Sequence, residues 1–120
     1  MCLIINPSSI HSKHIPWRKD NIRYKIVHKR DDGNYLTYHR NVIIKADGLN
    51  RMQYTKYYCE EDHGIHVFTH LKQARRELGG CYDAVIIKIR CNGFLRAGTF
   101  GYRHSMKCET WKSYRVICEV

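Results

Sequence analysis

The 120-residue sequence is short of proline, of acidic side chains and of long apolar runs, and each shortage excludes something. Two prolines, Pro7 and Pro16, are too few for a polyproline rod or a low-complexity chain. No stretch approaches the roughly 20 apolar residues that carry a helix across a bilayer, and Met1 to Ile5 is too short for a signal-peptide core. The expectation is a cytoplasmic protein with no membrane partner. Eleven Asp and Glu against 21 Lys and Arg leave a formal charge of +10. A small fold carries that as self-repulsion unless something acidic neutralises it, which points to an acidic partner. Recognised motifs are also missing: there is no G-x-S-x-G, H-E-x-x-H, P-loop or dinucleotide fingerprint, and no RNA- or DNA-reader signature. No cofactor is expected, and no motif names a reaction.

What is present is 43% hydrophobic residues in 14.3 kDa, the size and composition of one ordinary domain. The six cysteines sit in apolar runs such as Val116-Ile117-Cys118, and read as small buried thiols in place of a three-disulfide framework. Residues 1 to 21 hold both prolines and Ser8, Ser9 and Ser12 with no lasting period. They read as an irregular arm pinned by Trp17, with Leu3-Ile4-Ile5 as an apolar edge strand. The domain proper is expected over residues 22–120.

Within it, Ile22 to His28, the turn Asp31-Asp32-Gly33-Asn34 and Tyr35 to His39 spell a hairpin. Val42-Ile43-Ile44 before Asp47-Gly48 is a further short strand, and Met52 to Tyr58 another. Ile65 to Phe68 predicts a strand, Thr69 an N-cap, and Leu71, Ala74 and Leu78 the apolar stripe of a short helix that Gly79-Gly80 stops. Ala84 to Ile89 predicts a strand covered on both faces. Asn92-Gly93 reads as a hairpin turn into Phe94 to Phe100, and Tyr114 to Val120 as the last strand. The fold class expected is α+β: one short central helix on a mainly antiparallel sheet.

Three groups of cations stand out. Residues 13 to 30 hold Lys13, Arg18, Lys19, Arg23, Lys25, Lys29 and Arg30 against Asp20 alone. Arg96, Arg103, Lys107, Lys112 and Arg115 are interleaved with Tyr102, Trp111 and Tyr114. Lys72, Arg75 and Arg76 lie off the helix's apolar stripe and project outward. Cations beside exposed rings suit nucleic acid, because phosphate neutralisation supplies affinity and rings stack on bases. A solvated basic surface whose tyrosines belong to strands, or simple non-specific nucleic-acid binding, accounts for the same pattern. The candidate partner-binding residues are therefore Lys72, Arg75, Arg76, Arg96, Arg103, Lys107, Lys112 and Arg115. Cys59, His63, His66 and His70 have the side chains for zinc. A strand at 65–68 would point His66 away from the turns holding His63 and His70, so a metal centre is not expected.

The chain resembles a diffuse set of small uncharacterised proteins of bacteriophages and prophages. The likeness rests on Met1-Cys2-Leu3, Tyr24-Lys25-Ile26-Val27, Gly64-Ile65-His66-Val67-Phe68 and the helical Ala74. It implies a mobile-element accessory protein in a bacterial host. Such a protein would act against host defence as an anti-CRISPR-like inhibitor, on a nuclease, its nucleoprotein complex or nucleic acid. The run from Gly64 through His66 to Phe68-Thr69, then a helix and further strands, also resembles ADP-ribosyltransferase-type folds. That likeness implies a nucleotide-binding enzyme centred on His66, with Glu109 or Glu119 as the carboxylate on a late strand.

Overall fold

The computed structural model describes residues 3–4, 15–38, 42–52, 64–80, 83–100 and 103–120, the side chains of 3–4, 100 and 103–106 excepted. Its strands are β1 (Leu3–Ile4), β2 (Ile22–Lys29), β3 (Tyr35–Thr37), β4 (Ile43–Ile44), β5 (Asn50–Arg51), β6 (Ile65–Phe68), β7 (Ala84–Phe100) and β8 (Arg103–Glu119). One helix, α1 (Leu71–Leu78), joins β6 towards β7. The described pairings are all antiparallel, so the chain is mostly sheet with a minor helical part.

β7 and β8, 17 residues each, form the hairpin on which the other strands assemble. One edge of β7 takes β2, from Ile22↔Arg90 to His28↔Ala84. The far edge of β8 takes β6, from Ile65↔Trp111 to Phe68↔Cys108, and then β5 at Asn50↔Tyr114. The pair Tyr24↔Phe68 joins β2 to β6. β2, β7, β8 and β6 therefore close on one another in a ring.

Side-chain alternation then sorts the residues. Val27, Val67, Ile87, Ile89, Cys91, Trp111 and Tyr114 fill the inside with Ile44 from β4. On the outer face Phe68 and Ile86, with Tyr24 and Ile26, receive Ala74, Leu71 and Leu78 of α1. Ala74 is fully buried, and its small side chain lets the helix backbone approach the strands.

The first hairpin matches expectation, with Lys29↔Tyr35 beside the turn, as do the short strand at Ile43–Ile44 and the edge strand at Leu3–Ile4. The expected strand at Met52 to Tyr58 lies outside the described residues from 53 onward. Three expectations are corrected, one being the last strand, expected from Tyr114 but starting at Arg103 as β8. Asn92-Gly93 is not a turn, because Asn92↔Ser113 and Phe94↔Trp111 keep both flanks on β8. Gly93 instead takes φ 74 inside the strand, beside a register shift at Phe94/Arg96, and bends it. A Cβ there would meet the Lys112 side chain at 2.8 Å. The helix cap is His70, not Thr69. The Thr69 N–H points to the Lys107 carbonyl at 3.5 Å and holds that residue beside β8, so the helix starts one residue later. Gly79, with φ 53, ends α1 as predicted, its N–H bonding to the Arg75 carbonyl at 3.2 Å.

Candidate functional site

The eight cations singled out by sequence do not form one cluster. Lys72, Arg75 and Arg76 are exposed on α1, turned away from Ala74, and join no ion pair among the described residues. Lys107 is exposed on β8 beside the start of that helix, its ammonium 5.0 Å from the centre of the Trp17 ring. Arg115 lies eight residues further along β8, up to about 26 Å away at strand spacing. Arg96 is exposed on β7 opposite Thr110, and Lys112 is exposed on β8. The backbone of Arg103 pairs with Phe100, and its side chain lies outside the described residues.

Trp17 ties the arm to the domain. Its backbone N–H donates to Glu109 Oε2 at 2.7 Å and its indole N–H to the Gly98 carbonyl at 2.9 Å. Next to it Arg18 donates to the Thr69 carbonyl at 3.2 Å and pairs with Asp20. Asp20 is held below the usual carboxylate range: what burial it has works the other way, but the Arg18 and Ile22 hydrogen bonds outweigh it. Partial burial, then the Arg18 and Lys107 charges, push the His70 imidazole below its ordinary value. Arg18 and Lys107 thus both lie near His70, at the corner between arm and helix.

Inside the ring lies a polar group that sequence reading missed. Arg23 and Glu109, 86 residues apart and both fully buried, form an ion pair through Arg23 Nε and Glu109 Oε1. Arg23 Nη1 also donates to the Asp20 carbonyl at 2.9 Å, its guanidinium lies 5.3 Å from the Trp111 ring centre, and the Trp111 indole donates to Glu109 Oε1 at 3.3 Å. These partners satisfy both charges and tie β2 to β8 across the interior. Lys25 is half-buried, its ammonium donating to the His66 carbonyl at 2.8 Å, and burial lowers its pKa to about 8.

This geometry bears on the enzyme expectation. Glu109 is fully buried, and its carboxylate is taken up by Arg23, the Trp17 N–H and the Trp111 indole. Glu119 belongs to β8, opposite Ile87, and pairs with Lys29 at 3.1 Å, while the Val120 N–H bonds to the Ile86 carbonyl, so this end of the strand is stitched down. His66 sits half-buried on β6 opposite Thr110. Cys59 and His63 lie outside the described residues, and among the described residues no three His, Cys, Asp or Glu side chains converge on a metal position. Comparison with protein-family models, curated proteins and solved structures finds no match.

Of the rings expected beside the second group of cations, Trp111 and Tyr114 are in the core and Tyr102 lies outside the described residues. Trp111 is 6% and Tyr114 3% exposed, the former with Phe94 edge-on at 5.4 Å. Neither is available to stack on a base. Cys91 and Cys108 are buried free thiols, whereas Cys118 is exposed. No described helix is long and apolar enough to cross a membrane.

Proposed function

We propose that the protein is a non-enzymatic binding protein of a bacteriophage or related mobile element that blocks a host defence nuclease, or its nucleic-acid complex, by covering an acidic surface. The observation that supports this reading is the outward row on α1. Lys72, Arg75 and Arg76 stand exposed and join no ion pair among the described residues, on a helix that Ala74 anchors to the sheet and whose one carboxylate is Glu77. Cations held on an ordered element and unpaired among the described residues steer and grip an acidic partner. The short helix fixes their spacing, so binding costs little ordering entropy.

The test is affinity purification from a bacterial host carrying defence systems, with and without nuclease treatment, at low and moderate salt. The reading expects a protein partner that survives nuclease and is lost in Arg75→Glu/Arg76→Glu, with the variant's melting temperature unchanged. Unchanged capture by that variant removes the helix face. Recovery of nucleic acid alone reduces the function to charge-driven binding.

A further inference from the structure

The register of the β7–β8 hairpin sets two arginines side by side. Arg90 on β7 and Arg115 on β8 are directly opposed, so both project from the same face, and both are exposed. One step along, Asn92 opposes Ser113, and Ser113 opposes the exposed Arg51 on β5. Directly opposed side chains begin about 5 Å apart and diagonal ones about 7 to 8 Å. Three guanidinium groups from three adjacent strands therefore share a small patch whose other side chains, Asn92 and Ser113, are neutral hydrogen-bonding groups.

No acidic residue pairs with Arg51, Arg90 or Arg115 among the described residues. Like charges directly opposed on a ladder destabilise it. An anion that bridges them removes that cost, and the planar fork of arginine matches a phosphate with two parallel hydrogen bonds. Two opposed forks can hold one phosphate, and the third reaches its neighbour.

We infer that the sheet face built by Arg51, Arg90, Asn92, Ser113 and Arg115 binds the phosphate backbone of duplex nucleic acid. The choice of duplex follows from what the patch is made of. Surfaces for single strands combine cations with rings on which bases stack. Here Phe94, Trp111 and Tyr114, the rings described on the hairpin, are on the inner side, and no described residue of the patch is aromatic. A duplex keeps its bases stacked within and offers phosphates outward, which suits arginine forks and small polar groups and gives binding without sequence preference.

The patch is distinct from the helix row, although both lie on the outer side of the sheet. α1 covers Ile86, and Arg90 is four residues further along β7, about 13 Å at strand spacing. The inference rests on the reading of the protein as a binder of acidic partners, and adds a second face with nucleic acid as its occupant.

The experiment is fluorescence anisotropy of the full chain with a labelled DNA duplex and with one of its strands, over a salt series. The expected result is tighter binding of the duplex. In Arg90→Gln/Arg115→Gln the slope of log Kd against log salt should fall by about 1.8, two phosphate contacts at about 0.9 each. Arg90→Lys/Arg115→Lys should keep the slope but bind more weakly, because the charge stays and the fork is lost. The Gln variant should melt no lower than wild type, since it removes a repulsion. An unchanged slope, or equal binding of single strand and duplex, overturns the inference. Arg75→Glu/Arg76→Glu separates the two readings: it should abolish protein capture and leave the duplex slope intact. Loss of duplex binding in the helix variant, with the Gln variant unaffected, refutes the sheet face while leaving a basic binder in place.

Discussion

Replacing Lys25 with methionine should stabilise the protein at neutral pH. The side chain enters the ring from β2 opposite Ile87, and its ammonium has the His66 carbonyl as acceptor at 2.8 Å but no carboxylate partner among the described residues. Burial lowers its pKa from 10.5 to about 8. At about 1.36 kcal/mol per pH unit, that gap corresponds to roughly 3 kcal/mol lost by the folded state. The sign follows from proton uptake. Below pH 8 both states carry the proton and the penalty is complete. Between pH 8 and 10.5 the folded state releases its proton first, so stability rises with pH; above 10.5 both are neutral and the penalty is gone. Methionine keeps the length of the stem and removes the charge, at the cost of the hydrogen bond to His66, about 1 kcal/mol or somewhat more. The net expectation at pH 7 is a gain of about 1 to 2 kcal/mol. Urea unfolding followed by tryptophan fluorescence at pH 7, 8, 9 and 10 measures it. The wild type should close on the Lys25→Met variant as pH rises from 8. A variant that is less stable at pH 7, or a difference that does not change with pH, refutes the account of Lys25 as a desolvated cation.

Two further outcomes follow from the interior. Glu109→Ala leaves the buried Arg23 guanidinium only the half-exposed Asp20 carboxylate, at 3.1 Å, and should cost about 3 kcal/mol by chemical denaturation, the low end for breaking a buried pair, whereas Arg23→Met/Glu109→Leu should recover most of that loss; a double variant as unstable as the single would show that the charges themselves are required. Brief alkylation under native conditions should modify Cys118 and spare Cys91 and Cys108, whose thiols burial pushes up to about 12. Peptide mapping by mass spectrometry checks it, and rapid labelling of Cys91 in the folded protein would contradict the closed ring.

What sequence reading captured was local. The turn at Asp31 to Asn34 and the Ala74 stripe with its Gly79 stop depend on neighbours within a few residues, and those signals are carried by residue type. Asn92-Gly93 failed because one dipeptide serves two backbones: a positive φ suits a tight turn, and it suits a bend within a continuous strand equally well. Arg23 gave no hint of its fate, since its partner Glu109 is 86 residues away and a lone arginine on a polar-looking strand reads as solvated. Arg90 and Arg51 were likewise invisible as a pair with Arg115. Only the register across β5, β7 and β8 brings them together, and register is a property of the whole sheet. Trp111 and Tyr114 looked like partners for nearby cations because they alternate with them along the chain. Alternation along a strand in fact sends neighbours to opposite faces.

The two long strands have a consequence for how the chain is made. β7 and β8 follow every other element in the sequence, yet β1 pairs with β7, β5 with β8, and β2 and β6 each need one of them. During vectorial synthesis the earlier strands leave the ribosome before their template exists. At translation rates of roughly 5 to 20 residues per second they spend several seconds with unpaired edges. The nascent β2–β3 hairpin is therefore a segment that a holding chaperone would meet, and assembly of the ring waits for the β7–β8 hairpin translated after it.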